Sequence, residues 1–376
     1  MKVVYIVSGL FIGGAETMLY NILSKMDKEK FTPYLISLLD GGALSDRVKA
    51  LNIPVYSLGM KRGQISLKSL FQLLHIVNQI KPDIIQGWMY HGNIAAFLVK
   101  LFLFQKITVF WSIHHSIDSL SDEKKSTSLI INLSAPISKL VDKVFFVSKR
   151  SQKQHQEIGY SSRNSYVIPN GFDTSLFQPS AERKSLVREE LNLSEDTFII
   201  GSFARYHAMK DFPNFLKAAA ILSRNCPNVS FILAGTNVDI DNQDLCNLVK
   251  KLEIEDKVHL LGERSDIDQL MTALDVFTIS SAYGEAFPLV LGEAMSCGIP
   301  CVVTDVGDSS WILGELGKVV PPRNSQALAQ AWKELISIDR KEMKSTGERL
   351  RERIVDNFSL EAITFEYEKN YCSSLS

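Results

Sequence analysis

Cysteine is scarce. The chain has five in 376 residues, Cys226, Cys246, Cys297, Cys301 and Cys372, with no paired or metal-ligand spacing. That argues against a disulfide-stapled secreted scaffold and points to reduced, mostly buried thiols in a cytoplasmic protein. Long apolar runs are missing as well. The longest, Ile94–Phe104, contains Lys100 and falls short of the roughly 20 apolar residues needed to span a bilayer. Met1 and Lys2 lead straight into VVYIVS, so no secretory leader is expected. Low-complexity tracts and short repeats are absent, and the first glycine cluster, Gly9, Gly13 and Gly14, does not fit the G-x-G-x-x-G dinucleotide fingerprint. No nucleic-acid partner is expected.

What remains is ordinary for a soluble globular protein, with 45% hydrophobic and 22% charged residues. The length predicts two or three domains. The net charge of −1 conceals an imbalance, since residues 1–170 carry +9 and the rest −10. A basic half is a statement about partners rather than fold. It suits an anionic membrane surface or an anionic acceptor. The segment 118–153 interleaves Lys124, Lys125, Lys139, Lys143, Lys149, Arg150 and Lys153 with apolar residues. It reads either as a membrane-interface or acceptor-contacting segment, or as a plain surface helix followed by the strand KVFFVS.

Strands and helices alternate along the chain: VVYIVS, a glycine loop and a helix; PYLISLL, then SDRVKAL; PVYSLG, then a helix over Leu67–Ile80; PDIIQGWM; ITVFWSIHH. This order predicts parallel sheets covered by helices. PSAERKSLVREELNLSEDT is polar and reads as a linker with a short helix, after which FIIGSFARYHAMKDF opens a second set of strands and helices.

The most informative stretch is Ser280–Asp308, SSAYGEAFPLVLGEAMSCGIPCVVTDVGD. The strand LDVFTISS leads into a glycine-containing loop. Pro288 suits a first helical position, and Gly298 with Pro300 stops the helix near Cys297. A loop at the carboxyl end of a parallel strand is where open sheets bind ligands. The amides of Ala286, Phe287, Pro288 and Leu289 and the positive end of the helix favour an anion there; of these, Pro288 contributes no N–H. Glu285 and Glu293 then read as partners for sugar or ribose hydroxyls. The plainer reading of each is a helix-start or exposed helix carboxylate. Arg205 and Lys210, in the loop after the strand FIIGSF, supply a planar fork of donors and a point charge suited to a diphosphate.

This stretch resembles the donor-site motif of the retaining GT-B glycosyltransferases of the group 1, or family 4, class. Their two glutamates are separated by seven residues in a context like E-G-F-P-L-V-x-x-E-A-M-A-x-G-x-P-V-V-A-T-D-V-G. The chain departs at Ala286, Gly292 and Asp308. The resemblance extends to Gly13, Gly14 and Glu16 (G-G-x-E), to Val167–Phe177 (V-I-P-N-G-V-D-x-x-x-F) and to Arg205 with Lys210 and Asp211.

It implies an α/β GT-B fold, two Rossmann-like domains facing a central cleft. An acceptor-binding domain would span 1–175 plus a C-terminal helix over about 358–376, and a nucleotide-sugar domain 176–357. By the same resemblance Glu285, Arg205, Lys210 and His114 carry the reaction. Gly13, Gly14, Gly262, Arg264, Ala286, Phe287, Pro288, Leu289 and Glu293 bind the donor, with Gly262 and Arg264 near the base and Glu293 on the ribose. Acceptor contacts fall to Glu16, His91, Lys124 and Lys125. His91 serves equally well as a helix cap. His114 aligns with the family's strand-end histidine, and His115 should point the other way by strand alternation.

The implied activity is retaining transfer of a sugar from a nucleoside-diphosphate sugar, UDP favoured over GDP, to a glycan acceptor, lipid-linked in the favoured reading. It would serve surface polysaccharide or glycan assembly from the cytoplasmic face of the membrane. No cofactor and no metal are expected: Asp239/Asp241 read as a polar loop, and Asp266/Asp268 as the start of a helix. The rivals are a transferase with a small soluble acceptor, a nucleotide-sugar epimerase, and a non-catalytic sugar-nucleotide-binding protein.

Overall fold

The structure, a computed structural model, describes residues 1–61, 66–103, 106–117, 120 and 123–374. Phe104, the end of the apolar run, and residues 118, 119, 121 and 122 of the basic segment lie outside them. The chain divides into two compact units, Met1–Gly171 with Leu360–Ser376, and Phe172–Ser359.

In the first unit the order is β1 (Lys2–Val7), α1 (Gly14–Lys25), β2 (Thr32–Leu39), α2 (Leu44–Ala50), β3 (Val55–Met60), α3 (Leu67–Ile80), β4 (Ile84–Trp88), α4 (Met89–Leu103), β5 (Thr108–Ile113), α5 (Lys125–Ile137), β6 (Lys143–Phe146), α6 (Lys149–Glu157) and β7 (Ser165–Val167). The strands form one parallel sheet in the order β3-β2-β1-β4-β5-β6-β7. They read as near-continuous apolar runs because helices cover both faces. One core joins Ile6, Ile85, Val109 and Trp111 of the sheet to Val77 of α3, Val99 of α4 and Ile131 of α5. Local signals set the helix ends. Ser66 caps α3 by accepting from the Ser69 amide, and the left-handed Lys81 ends it.

The second unit runs α7 (Ala181–Glu190), β8 (Phe198–Phe203), α8 (Phe212–Ser223), β9 (Val229–Ala234), α9 (Gln243–Lys251), β10 (Val258–Leu260), α10 (Ile267–Ala273), β11 (Val276–Ile279), α11 (Leu289–Ser296), β12 (Cys301–Thr304), α12 (Ser309–Leu313), β13 (Lys318–Val320), α13 (Ser325–Ile336) and α14 (Arg340–Phe358). Its parallel sheet is ordered β10-β9-β8-β11-β12-β13, with Phe215, Phe231 and Trp332 at the centre of its core.

The last helix, α15 (Leu360–Cys372), belongs to the first unit. The Tyr371 hydroxyl meets that of Tyr5 in β1 at 2.9 Å inside the core. Lys143 donates to Asn370 Oδ1 at 2.9 Å, and Glu361 pairs with Lys25 of α1 at 2.7 Å.

Among the described residues no helix is long and apolar enough to cross a membrane. All five cysteines are free, but only Cys297 and Cys301 are buried. Cys226 and Cys246 are half-buried and Cys372 is exposed, which corrects the expectation of mostly buried thiols.

Candidate active site

The order of the second sheet reverses between β8 and β11, and the crevice outside the carboxyl ends at such a point is where open sheets hold ligands. The loops leaving these two strands are tied together. The Ala282 amide donates to the Met209 carbonyl at 2.8 Å, and Ser280 Oγ to the Lys210 carbonyl at 2.8 Å. Lys210 Nζ donates to Glu285 Oε1 at 2.5 Å, and Ser281 Oγ reaches the same oxygen at 2.5 Å. The side chains of Lys210 and Glu285 are 19% and 7% exposed, so the pair is well shielded from water. Lys210, Ser281, Glu285 and Ser202 line a small cavity at these strand ends. Arg205 follows β8 in the same loop with its side chain exposed. Sequence reading missed Ser280 and Ser281 as positioning groups, although a serine pair at a strand end was the available signal.

The Glu285 loop is held from behind. Gly307 is left-handed, with φ at 64°, and lies so close to the Glu285 carbonyl that a side chain there would collide with it. The Asp308 amide donates to the Ala286 carbonyl at 3.1 Å. Phe287 is buried and leaves only its backbone toward the loop. Its ring stacks on Phe172 at 5.8 Å and meets Phe358 and Trp311 at the same spacing. The Phe172 ring fills the space over Gly292, where any side chain would overlap it. This accounts for the glycine at a position where the chain departs from the family pattern.

Pro288 stands one residue earlier than expected, at the N-cap of α11 with ψ at 114° rather than in its first turn. The other end follows the sequence signal. Gly298 donates to Met295 and Ile299 to Ala294, the paired bonds of a Schellman ending.

Glu293 lies on the fifth residue of α11, half-buried, with no hydrogen bond to its carboxyl among the described residues. Burial pushes its pKa up to about 7. A carboxylate held away from water without a partner is suited to accept from ligand hydroxyls.

Arg264 is engaged elsewhere. Its guanidinium binds both oxygens of Asp266 at 2.8 and 2.7 Å and reaches Glu190 of α7 at 2.7 Å. Asp266 occupies the N-cap of α10, as its position suggests, but its carboxylate serves Arg264 and caps nothing. The Gly262 amide donates to Val238 at 2.8 Å, and its carbonyl accepts from Gly235 at 2.7 Å. Asp268 pairs with Arg183 at 2.9 Å, and the Asp239 carboxylate closes a turn onto the Asp241 amide at 3.0 Å. Among the described residues no group of three or more His, Cys, Asp or Glu side chains is arranged to hold a metal.

In the first unit the order reverses between β1 and β4. Gly13 is the N-cap of α1 and Gly14 its first residue; Glu16 is half-buried in the first turn, and burial raises its pKa. His114, just beyond β5, stacks on Trp88 at 4.4 Å and meets Asn170 Oδ1 through Nδ1 at 3.3 Å. Burial lowers its pKa to about 4, so the ring is neutral at physiological pH. With Asn170 accepting, the proton sits on Nδ1 and Nε2 is the free acceptor.

Trp88 is fixed in turn by its indole N–H, which donates to the Ala15 carbonyl at 2.9 Å. Nothing in the local sequence marked Trp88 or Asn170 as partners of this ring. β5 ends at Ile113, so strand alternation does not govern His115, yet the two rings do part. His115 turns to Glu123 at 2.6 Å. His91 is the third residue of α4 and is exposed. Lys124 and Lys125 are exposed at the start of α5.

Two family models match in sequence order, Glycosyltransferase Family 4 over residues 12–176 and Glycosyl transferases group 1 over residues 184–353. The chain is a group 1, family 4 glycosyltransferase. The transferase is 24% identical over 325 residues to N-acetyl-alpha-D-glucosaminyl L-malate synthase of Bacillus anthracis, covering 85% of this chain and 79% of that one. It is 28% identical over 199 residues to the Escherichia coli UDP-Gal:alpha-D-GlcNAc-diphosphoundecaprenol alpha-1,3-galactosyltransferase, covering 52% and 50%. Its fold matches that of Anabaena HepE, solved in complex with UDP, with a TM-score of 0.84, 24% identity and coverage of 99% and 100%. The fold expected from sequence is therefore present: two domains, each a parallel sheet clothed in helices, of the GT-B type.

Proposed function

We propose that the transferase moves a sugar, with retention of anomeric configuration, from a nucleoside-diphosphate sugar to a glycan acceptor carried on a lipid, in the assembly of a surface polysaccharide or glycan. The observation that carries this reading is the charged set at the β8/β11 reversal: the shielded Lys210–Glu285 pair, the exposed Arg205 in the loop that carries Lys210, and the half-buried Glu293 on α11. Bond cleavage leaves negative charge on the departing diphosphate. Arg205, Lys210 and the first amides of α11 are preorganised cationic or dipolar groups that can meet it. Glu285 would accept from donor-sugar hydroxyls and Glu293 from the ribose.

The acceptor hydroxyl oxygen attacks the anomeric carbon on the face from which the phosphate oxygen leaves, and the hydroxyl proton passes to that oxygen. A neutral His114 offers a sugar a hydrogen bond without adding charge. No metal is assigned a role, because protein cations serve the leaving group. UDP is the favoured nucleotide, in keeping with the UDP bound to HepE and the UDP-Gal in the Escherichia coli relative's name. That relative's diphosphoundecaprenol acceptor also supports a lipid carrier and peripheral contact with an anionic membrane. The Bacillus anthracis relative's name favours a second reading, a small soluble acceptor.

A thermal-shift panel with UDP, GDP, ADP and common nucleotide sugars, with and without EDTA, tests the donor side. Selective, EDTA-insensitive stabilisation by one nucleotide is expected. Stabilisation that needs a divalent metal, or equal stabilisation by all three nucleotides, counts against it. The anomeric configuration of the product, read by NMR, tests retention.

A further inference from the structure

β4 runs into α4 without a loop. Trp88 ends the strand, and Met89 begins the helix with φ at 62°, in the left-handed region that a bulky side chain rarely adopts. Such strain persists only where the surroundings fix it, and it gathers at functional positions. Here the surroundings do fix it. α4 is seated so closely on β1 that a side chain at Gly92 would collide with the Ile6 carbonyl, and the Tyr90 hydroxyl meets His155 Nε2 at 2.8 Å in the core.

The strained turn brings two consecutive side chains to one partner. Trp88 is 1% exposed and lies at the reversal of the first sheet, in register with Val7 of β1 and Ser112 of β5. Its indole stacks on the His114 ring with the planes 27° apart. Met89 Sδ accepts from the His114 backbone amide at 3.3 Å. Ring and backbone of His114 are therefore both held by this dipeptide. The indole N–H serves a second place, the Ala15 carbonyl, and Ala15 stands between Gly14 and Glu16 in the first turn of α1. Tyr5 and Tyr367 close round the same indole, at 6.4 and 6.1 Å between ring centres. A phenyl ring could fill much of this space, but it has no N–H for Ala15.

We propose that Trp88 is a positioning residue for sugar transfer. Its stacked face sets the direction of His114 Nε2, and its N–H holds the Gly13–Glu16 turn in the same frame, so that the two groups meet a ligand as one unit. This deepens the reading above, in which His114 offers a sugar a hydrogen bond, and rests on it.

The ligand-free test is the ¹⁵N spectrum of histidine-labelled protein, which distinguishes a ring protonated on Nδ1 from one protonated on Nε2, together with hydrogen exchange over residues 13–19. Trp88→Phe keeps an aromatic face and loses the donor. It should leave the His114 tautomer unchanged and speed exchange in the first turn of α1 about fivefold. Trp88→Leu loses both and should also turn the single tautomer into a mixture. The transfer test is steady-state release of UDP from UDP-glucose, UDP-galactose and UDP-N-acetylglucosamine, with water as the acceptor. Trp88→Leu should lower kcat about tenfold or more and move KM less than about twofold. In a His114→Ala background the same change should lower kcat less than about threefold. An unchanged tautomer in Trp88→Leu overturns the proposal, as does a loss of kcat that multiplies in full with that of His114→Ala. Unchanged exchange in Trp88→Phe overturns it as well, so the outcome is decided even if the leucine variant does not fold. An unaltered chain that releases UDP from none of the three donors counts against the donor reading, and the ligand-free spectra then decide this proposal by themselves.

Discussion

Replacing Glu293 by glutamine should stabilise the free transferase above neutral pH and weaken its response to nucleotide. In the folded chain this carboxyl ionises near 7 rather than near 4.5, because burial disfavours its charge. The sign follows from proton counting. Between the two values the folded state holds the proton more tightly than the unfolded state. The contribution of Glu293 to stability is therefore full below about pH 4.5, falls as pH rises, and reaches its lowest level above about 7. The gap is worth about 3 kcal/mol, and partial exposure of the side chain makes this an upper figure. For a unit of this size that corresponds to roughly 6–12 °C in melting temperature.

Glutamine keeps the shape and loses the charge. Melting curves of the two proteins should coincide near pH 4.5 and separate progressively up to pH 8, with the variant higher. UDP, whose ribose would satisfy the carboxylate, should then raise the melting temperature of the variant less than that of the parent. A difference that does not change with pH, or a variant less stable than the parent at pH 8, would refute the reasoning.

Lys210→Ala strands the shielded Glu285, so it should cost about 3–5 kcal/mol in denaturant melts, and the added change Glu285→Gln should recover a large part of that. Gly292→Ala should cost about 1–3 kcal/mol by overpacking against Phe172, with Phe172→Leu restoring stability. Asn170→Asp places a carboxylate beside His114 and should bring its pKa from about 4 back toward the ordinary imidazole range, as read from the ring-proton NMR shifts across pH. Arg205→Ala should reduce transfer strongly with an unchanged melt, since the exposed side chain supports no packing.

Much of the architecture was legible because helix and strand boundaries carry local chemistry. Leu67–Ile80 is the helix expected, since Ser66 caps it and the chain turns at Lys81. The strand–loop–helix unit around Glu285 was legible for a related reason: Gly284, Gly298 and Pro300 punctuate it, and Glu285 and Glu293 keep a specific spacing. Contacts between residues far apart in sequence were not legible. No local pattern joins Lys210 to Glu285, Trp88 to His114 or Phe172 to Gly292. Asp266 shows the limit well, because position identified it as a helix-start residue while a neighbouring arginine claimed its side chain.

The tyrosine pair that joins the first strand to the last helix sets the order in which the chain can mature on a ribosome. β1 emerges long before α15, so its Tyr5 hydroxyl waits for Tyr371, with the whole of Phe172–Ser359 translated in between. At about 5–20 residues per second that interval is on the order of 10–40 s. During it the early sheet is exposed where α15 will cover it, while the second domain can complete its own fold unaided. The nascent first domain is therefore the part of this chain with most to gain from a chaperone, and stalling translation just short of α15 should leave it protease-sensitive beside a resistant second domain.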